Sequence, residues 1–352
     1  MNEVKVGLLG VTGAVGQRYI SMLGAHPFFR LEALMGRESV GKKYREATHW
    51  LLPEAIPEDV AAMTVKKAVP ESARDCDLVF SALPSEAART VEPKFAEAGL
   101  TVISEASAFR MEPDVPLIIP EVNPQHLDLL KAQRGRRGWR GCIVTTPNCT
   151  VTGLAMVLKP LVDDFRLTMV VVTTMQAVSG AGYPGVPSLA IIENIIPFID
   201  GEEVKVVSES KKILGTLSSG LIQPLELAMA VSCNRVQTID GHLETVYCEF
   251  SDPVNVSDVI STLENFKGLP QELHLPTAPN PPLIVRTEQD RPQPRLDRMA
   301  GSVPGMSVVV GRIRGGVDER SVQLVLLSHN TIRGAAGTAI LTAELMRSLN
   351  IV

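Results

Sequence analysis

The sequence predicts an α/β protein: an N-terminal Rossmann-type, doubly wound parallel sheet, then an α+β catalytic and dimerisation domain on a mixed sheet. Three observations carry this. Short apolar strands alternate with helical patterns over the first 148 residues, as in a parallel sheet covered on both faces. A glycine turn, Gly10-x-x-Gly13-x-x-Gly16, stands between the first strand and the first helix. From residue 149 onward, long β-rich runs have few helices between them, which predicts a mixed sheet with helices on one face. The predicted division is 1–148 plus a C-terminal helix over 333–352, and 149–332.

The run 4–10 is apolar and ends in glycine, so it reads as a buried parallel strand. The glycines after it allow close approach of backbone to a pyrophosphate, which then rests on helix N–H groups. Gly10, Thr12, Gly13, Ala14, Val15 and Gly16 are therefore dinucleotide-binding candidates. The second strand falls at 31–35. An NAD-specific site usually ends this strand with an acid for the ribose 2′-hydroxyl. Here Arg37, Ser39 and Lys42 follow, a set suited to a 2′-phosphate, so NADP (NADPH) is the expected cofactor. Glu38 dissents and is compatible with NAD as well. A strand at 77–83 delivers Ser81 and Leu83 to the carboxyl edge of the sheet, where such folds bind ligands. Further strands are expected at 101–104 and 116–120.

In Thr146-Pro147-Asn148-Cys149-Thr150 a cysteine begins a helix. A helix N-terminus carries roughly half a positive charge and unpaired N–H groups. This predicts a lowered pKa for Cys149 and a good nucleophile. Strands follow at 168–176, 241–250, 307–313 and 322–327. His242 follows a glycine turn at a strand start, where imidazole can serve as acid or base. Gln176 ends a strand ahead of the specific loop 179–187, which contains Ser179 and Gly180. Arg235 and Arg110 are anion-clamp candidates. A small-residue-rich helix over 330–349 is expected to pack back on the nucleotide domain.

A net charge of −5 over 352 residues, 21% of them charged, describes two ordinary domains and excludes a broad nucleic-acid surface. The basic run 134–140 reads as a solvated loop. The five cysteines include no C-x-x-C pair, so neither a disulfide framework nor a zinc site is expected. The expectation is a cytoplasmic protein with no signal peptide, membrane span or metal. The free face of the second sheet predicts pairing of subunits, as a homodimer or homotetramer.

Taken together, Gly10-x-x-Gly13-x-Val15-Gly16-Gln17, Ser81 to Ser85, Pro147-Asn148-Cys149-Thr150, Gln176 to Gly182, Asn234-Arg235 through Gly241-His242, and Asn330 to Ala335 resemble the aspartate-semialdehyde dehydrogenases of the archaeal and fungal branch. The resemblance covers nearly the whole chain. It implies that Cys149 attacks aspartyl-4-phosphate, or in reverse aspartate semialdehyde, and that His242 shuttles the proton. NADPH would reduce the thioester and phosphate would be released. It implies that Gln176 positions the acyl group, that Arg235 clamps the α-carboxylate and that Glu209 meets the amino group. Lys212 and Arg110 would bind phosphate, and Asn148 would mark the amino-acid substrate. Ser179, Gly180 and Asn330 would contact the cofactor. Gln237 stands where the family more often has proline, which affects local loop shape. The alternatives are a malonyl-CoA reductase, a branch that usually lacks the asparagine before the cysteine, N-acetyl-glutamyl-phosphate reductase, and a non-catalytic NADP-binding redox sensor.

Overall fold

The computed structural model describes residues 3–352. The first sheet is wholly parallel and comprises β1 (Val4–Leu9), β2 (Phe29–Gly36), β3 (Lys66–Lys67), β4 (Leu78–Ser81), β5 (Thr101–Ser104) and β6 (Cys142–Thr145), in the order β3-β2-β1-β4-β5-β6. Alternate side chains enter two cores, as the period of a strand requires. Leu8, Leu34, Phe80 and Ile103 pack with the helices Ala14–Leu23 and Gly337–Ser348. Leu9, Met35, Val79 and Val102 pack with the helix Ser85–Glu97. The C-terminal helix therefore lies against the first sheet, and Leu275 and Met306 join the same core.

Glycine is required at the first turn. Gly10 has φ +78°, and a Cβ there would lie 2.6 Å from the Ala82 carbonyl oxygen. A Cβ on Gly16 would lie 2.4 Å from the Gly10 oxygen. Gly16 thus serves helix-to-strand packing, and it does not line the groove described below.

The second part holds β7 (Leu167–Gln176), a small hairpin of β8 (Thr216–Ser218) and β9 (Leu221–Gln223), β10 (Ala228–Arg235), β11 (His242–Phe250), β12 (Leu283–Val285), β13 (Val308–Gly315) and β14 (Ser321–Ser328). Its six-stranded sheet runs β10-β7-β11-β14-β13-β12 with mixed direction. The inner face packs on the helices Cys149–Asp164, Glu202–Ile213 and Val256–Asn265 through Val172, Val246, Leu324 and Leu326. The outer face stays open at Val171, Thr173 and Thr245.

Two expectations need correction. Residues 116–120 form no strand. Only Leu117 makes an isolated parallel bridge, to Thr145, because the flanking prolines Pro116 and Pro120 cannot donate to a ladder. The basic run 134–140 is not a free loop. It begins in the helix Leu129–Arg137, and Arg137 pairs with Asp114 and stacks 4.9 Å from the Trp139 ring.

Candidate active site

The sheet register assembles the site. Arg235 on β10 pairs with Gln176 on β7, and His242 on β11 pairs with Ser328 on β14. Leu243 pairs with Met175, so continuing that antiparallel register by one residue sets Gln176 opposite His242. Arg235, Gln176, His242 and Ser328 thus form one row at the edge of the sheet. All four are buried. The next row inward is Cys233, Thr174, Glu244 and Leu326, and below it only apolar residues follow. Thr174 and Glu244 therefore form a polar step between the row and the core, flanked by Cys233 and Leu326, which belong to the core.

Cys149 opens the helix Cys149–Asp164 directly above this row. Asn148 is its N-cap: Oδ1 accepts from the Thr150 N–H at 2.9 Å and from the Val151 N–H at 3.4 Å. The Asn148 amide nitrogen donates to Glu202 Oε1 at 2.9 Å, and its backbone N–H donates to Glu209 Oε2 at 2.7 Å. The Cys149 Sγ lies 3.1 Å from His242 Nε2. On the other side of the ring, His242 Nδ1 faces the Ala177 N–H at 3.1 Å. A backbone N–H can only donate, so Nδ1 is the acceptor. Neutral His242 therefore carries its hydrogen on Nε2, pointed at the sulfur.

The charge state differs from the sequence expectation. Burial pushes the Cys149 thiol up to about 12, and the Glu202 carboxylate adds to this; Arg110 and Arg235 pull it back without cancelling it. Burial also holds His242 down to about 3, with Arg235 and His329 acting in the same direction. The resting pair is thus a neutral thiol and a neutral imidazole. The helix N-terminus is present as predicted, but desolvation outweighs it.

Arg110 donates from Nη1 to Glu209 Oε1 at 3.0 Å and from Nη2 to the Glu105 carbonyl at 2.6 Å. Both Glu209 oxygens are thus occupied. Lys212 requires a firmer correction as a phosphate ligand. Its Nζ donates to the carbonyls of Arg110, Glu112 and Val115 at 2.6, 2.8 and 2.9 Å. All three of its hydrogens are used, and burial lowers its pKa to about 8. In this structure Lys212 pins the segment that presents Arg110. Arg235 Nη1 donates to the Ala177 carbonyl at 2.7 Å. A Cβ on Gly180 would stand 2.8 Å from that nitrogen and 3.1 Å from His242 Cε1, so the loop passes flat over the pair. Gln176 donates to Thr174 Oγ1 at 3.4 Å.

A groove of about 430 Å³ leads to Cys149 and Arg110 past Gly13, Ala14, Val15, Ser179, Gly180 and Asn330. At Leu83 it meets a second cavity of about 390 Å³ lined by Gly10, Thr12, Arg37, Ser39 and Lys42. The helix Ala14–Leu23 opens on this groove without any side-chain cap, which leaves its first N–H groups for an anion. Arg37 and Lys42 are exposed and make no side-chain ion pair among the described residues, but Glu38 shares their cavity. These features fit a dinucleotide with an additional phosphate. Ser81 does not join them: it is fully buried beneath the strand end and lines neither cavity. Asn330 Nδ2 donates to Ser179 Oγ at 2.8 Å, and its Oδ1 accepts from the Gly241 N–H at 2.9 Å, which ties three loops of the groove together.

The sequence reading missed Glu202, Glu105 and Gly334. Glu105 lines the groove and accepts from Tyr19 and Thr146, each at 2.7 Å. A Cβ on Gly334 would stand 2.7 Å from the Cys149 Cβ. No spacing pattern marks Glu202 or Glu105. Gly334 lies in a small-residue run whose packing role was visible but whose neighbour was not.

Two family models match: the semialdehyde dehydrogenase NAD binding domain over residues 5–130 and the semialdehyde dehydrogenase dimerisation domain over residues 158–333. An aspartate-semialdehyde dehydrogenase of Methanothermobacter thermautotrophicus is 51% identical, covering 98% of this chain and 99% of that protein. A malonyl CoA reductase (NADP) of Metallosphaera sedula is 46% identical, covering 97% of this chain and 96% of that protein. The crystal structure of aspartate semialdehyde dehydrogenase with NADP from Candida albicans aligns with a TM-score of 0.91 at 41% identity, over 99% of this chain and 100% of that one. The chain belongs to the semialdehyde dehydrogenase family.

Proposed function

We propose that the protein catalyses the NADP-dependent reductive dephosphorylation of L-aspartyl-4-phosphate to L-aspartate 4-semialdehyde, through a thioester on Cys149. The observation that carries this reading is the 3.1 Å contact of Cys149 Sγ with His242 Nε2 at the end of a groove that begins on an uncapped, glycine-led helix.

Cys149 Sγ attacks the acyl carbon, the C–S bond forms and the C–O bond to phosphate breaks. The thiol hydrogen leaves with the departing phosphate; His242 Nε2 already carries a hydrogen and points it at the sulfur, so in this step the ring orients the nucleophile. Arg110, buried and lining the groove beside Cys149, would meet that leaving group. Arg235 takes the α-carboxylate, and Gln176, beside His242 in the row, orients the acyl chain. When bound, NADPH would supply the hydride for the thioester carbon. The C–S bond then breaks and the aldehyde leaves, while the sulfur, steadied by the His242 Nε2–H, takes up one proton from solvent to restore the thiol. Gly10, Thr12, Gly13, Ala14 and Val15 would hold the pyrophosphate end, and Arg37, Ser39 and Lys42 would favour the 2′-phosphate.

The units 1–148 with 333–352, and 149–332, are read as nucleotide and catalytic domains. The open sheet face supports pairing of two copies through the second unit. Among the described residues no helix is long and apolar enough to cross a membrane, and we read the protein as a cytoplasmic homo-oligomer. The reading is tested by a panel of aspartate semialdehyde with phosphate, malonyl-CoA and N-acetyl-glutamyl phosphate, each with both nicotinamide cofactors. Mass spectrometry of enzyme quenched in turnover should find the acyl group on Cys149. Turnover confined to malonyl-CoA would select the rival that the 46% identical relative represents.

A further inference from the structure

Asn148 holds the first turn of the Cys149 helix only while its amide faces one way. Oδ1 must meet the Thr150 and Val151 N–H groups, since the flipped amide would set N–H against N–H. The residue that fixes this choice is Glu202, whose Oε1 accepts from Asn148 Nδ2 at 2.9 Å. Glu202 is buried at the start of its own helix, and its nearest cation, Lys205, stands 3.8 Å away, beyond hydrogen-bond range. Lys205 pairs with Oε2 and leaves Oε1 to hold Asn148. The charged and titratable groups around Cys149 are His242 on β11, Arg235 on β10, Arg110 on the turn after β5, Glu105 in the same groove, Glu209, which accepts from the Asn148 N–H, and Glu202 itself. Glu209 is paired with Arg110, and Glu202 opposes the thiolate.

We propose that Glu202 is a positioning residue for Cys149: it locks the Asn148 cap by accepting its amide hydrogen and sets a carboxylate beside the nucleophile. The proposal rests on Cys149 as the nucleophile. The hydrogen bond and the charge are separable, because Glu202→Gln retains an oxygen acceptor without the charge and Glu202→Ala removes both.

The test is the rate of alkylation of substrate-free enzyme by iodoacetamide against pH, with kcat, KM and melting temperature measured alongside. Cys76, Cys142, Cys233 and Cys248 are buried and Cys149 is partly exposed, so modification reports on one thiol, verified by peptide mass. In Glu202→Gln the alkylation profile should move to lower pH by about one unit, the size expected on removing one nearby like charge. Glu202→Ala should lower kcat about tenfold, the effect of a misaimed sulfur, with KM for NADPH unchanged. Glu202→Gln should recover most of that loss. An alkylation profile for Glu202→Gln that superimposes on the unmodified protein's overturns the charge role. A kcat for Glu202→Ala within twofold of the unmodified protein overturns the positioning role. Absence of an acyl adduct on Cys149 during turnover would instead overturn the functional reading, a separate result.

Discussion

Breaking the ion pair between Arg333 and Glu121 should unfold this protein at a much lower temperature, whereas removing both partners should not. Both side chains are fully buried. Arg333 Nη1 donates to Glu121 Oε1 at 2.8 Å and Nη2 to Oε2 at 2.6 Å, and Nη2 also lies 3.1 Å from the Met156 sulfur. Nε has no partner. In Glu121→Leu the guanidinium stays in the interior without a counter-charge, which costs about 3–5 kcal/mol. At about 2–4 °C per kcal/mol for a domain of this size, the melting temperature should fall by ~6–20 °C. The double variant Glu121→Leu/Arg333→Met replaces the pair with apolar groups, and such exchanges are often neutral or stabilising. Its melting temperature should therefore lie well above that of either single variant. Because Arg333 precedes Gly334, which packs on Cys149, the single variant should also lose activity below its melting temperature. The assay is scanning calorimetry of the four proteins, with urea melts at 25 °C. A fall of under about 3 °C in the single variants, or losses that simply add in the double, would refute the reasoning.

Gly180→Ala places a methyl 2.8 Å from Arg235 Nη1 and 3.1 Å from His242 Cε1; displacement of that pair should lower kcat/KM about 100-fold, and unchanged kinetics would show that the loop gives way instead. Arg37→Ala/Lys42→Ala should raise KM for NADPH by ~10–100-fold, the worth of a charged hydrogen bond or two, and leave KM for NADH unaltered; equal losses with both cofactors would contradict the 2′-phosphate assignment. Glu244 is fully buried with both oxygens unpartnered, and burial raises its pKa well above the ordinary value, with Glu202 adding to it. The folded state thus favours the neutral acid: the stability this gives is full below the unfolded pKa near 4.5 and is lost as pH rises towards the folded pKa. Glu244→Gln has no proton to lose, so its stability relative to the unmodified protein should improve from pH 5 to pH 8 in urea melts, by up to about 1.4 kcal/mol per pH unit; a constant difference would show the carboxyl is ionised in the fold.

Much of this molecule was legible in its sequence for definite reasons. The strand, glycine turn and helix at 4–23 follow from backbone sterics: Gly10 and Gly16 admit no side chain, and the turn could not close otherwise. Apolar strands buried on both faces and β-rich runs with one wet face announced the two sheets. The helix start at Cys149 was legible because such starts are written in near neighbours along the chain, whereas the Asn148 side-chain cap on it came from the structure. Strands β3, β6, β8, β9, β10 and β12 escaped notice. The strand β10, Ala-Met-Ala-Val-Ser-Cys-Asn-Arg, is half exposed and weakly patterned, and the others are only two to four residues long. Other features depend on residues far apart in sequence. The register between β10, β7, β11 and β14 sets Arg235, Gln176, His242 and Ser328 side by side, although they span residues 176 to 328. The hydrogen on His242 Nε2 is decided by the Ala177 N–H. The three carbonyls that occupy Lys212 come from a loop about a hundred residues earlier. The state of the Cys149 thiol was misread for the same reason. The positive end of a helix is written in local sequence, whereas the desolvation that outweighs it arises from elements which only the folded chain brings together.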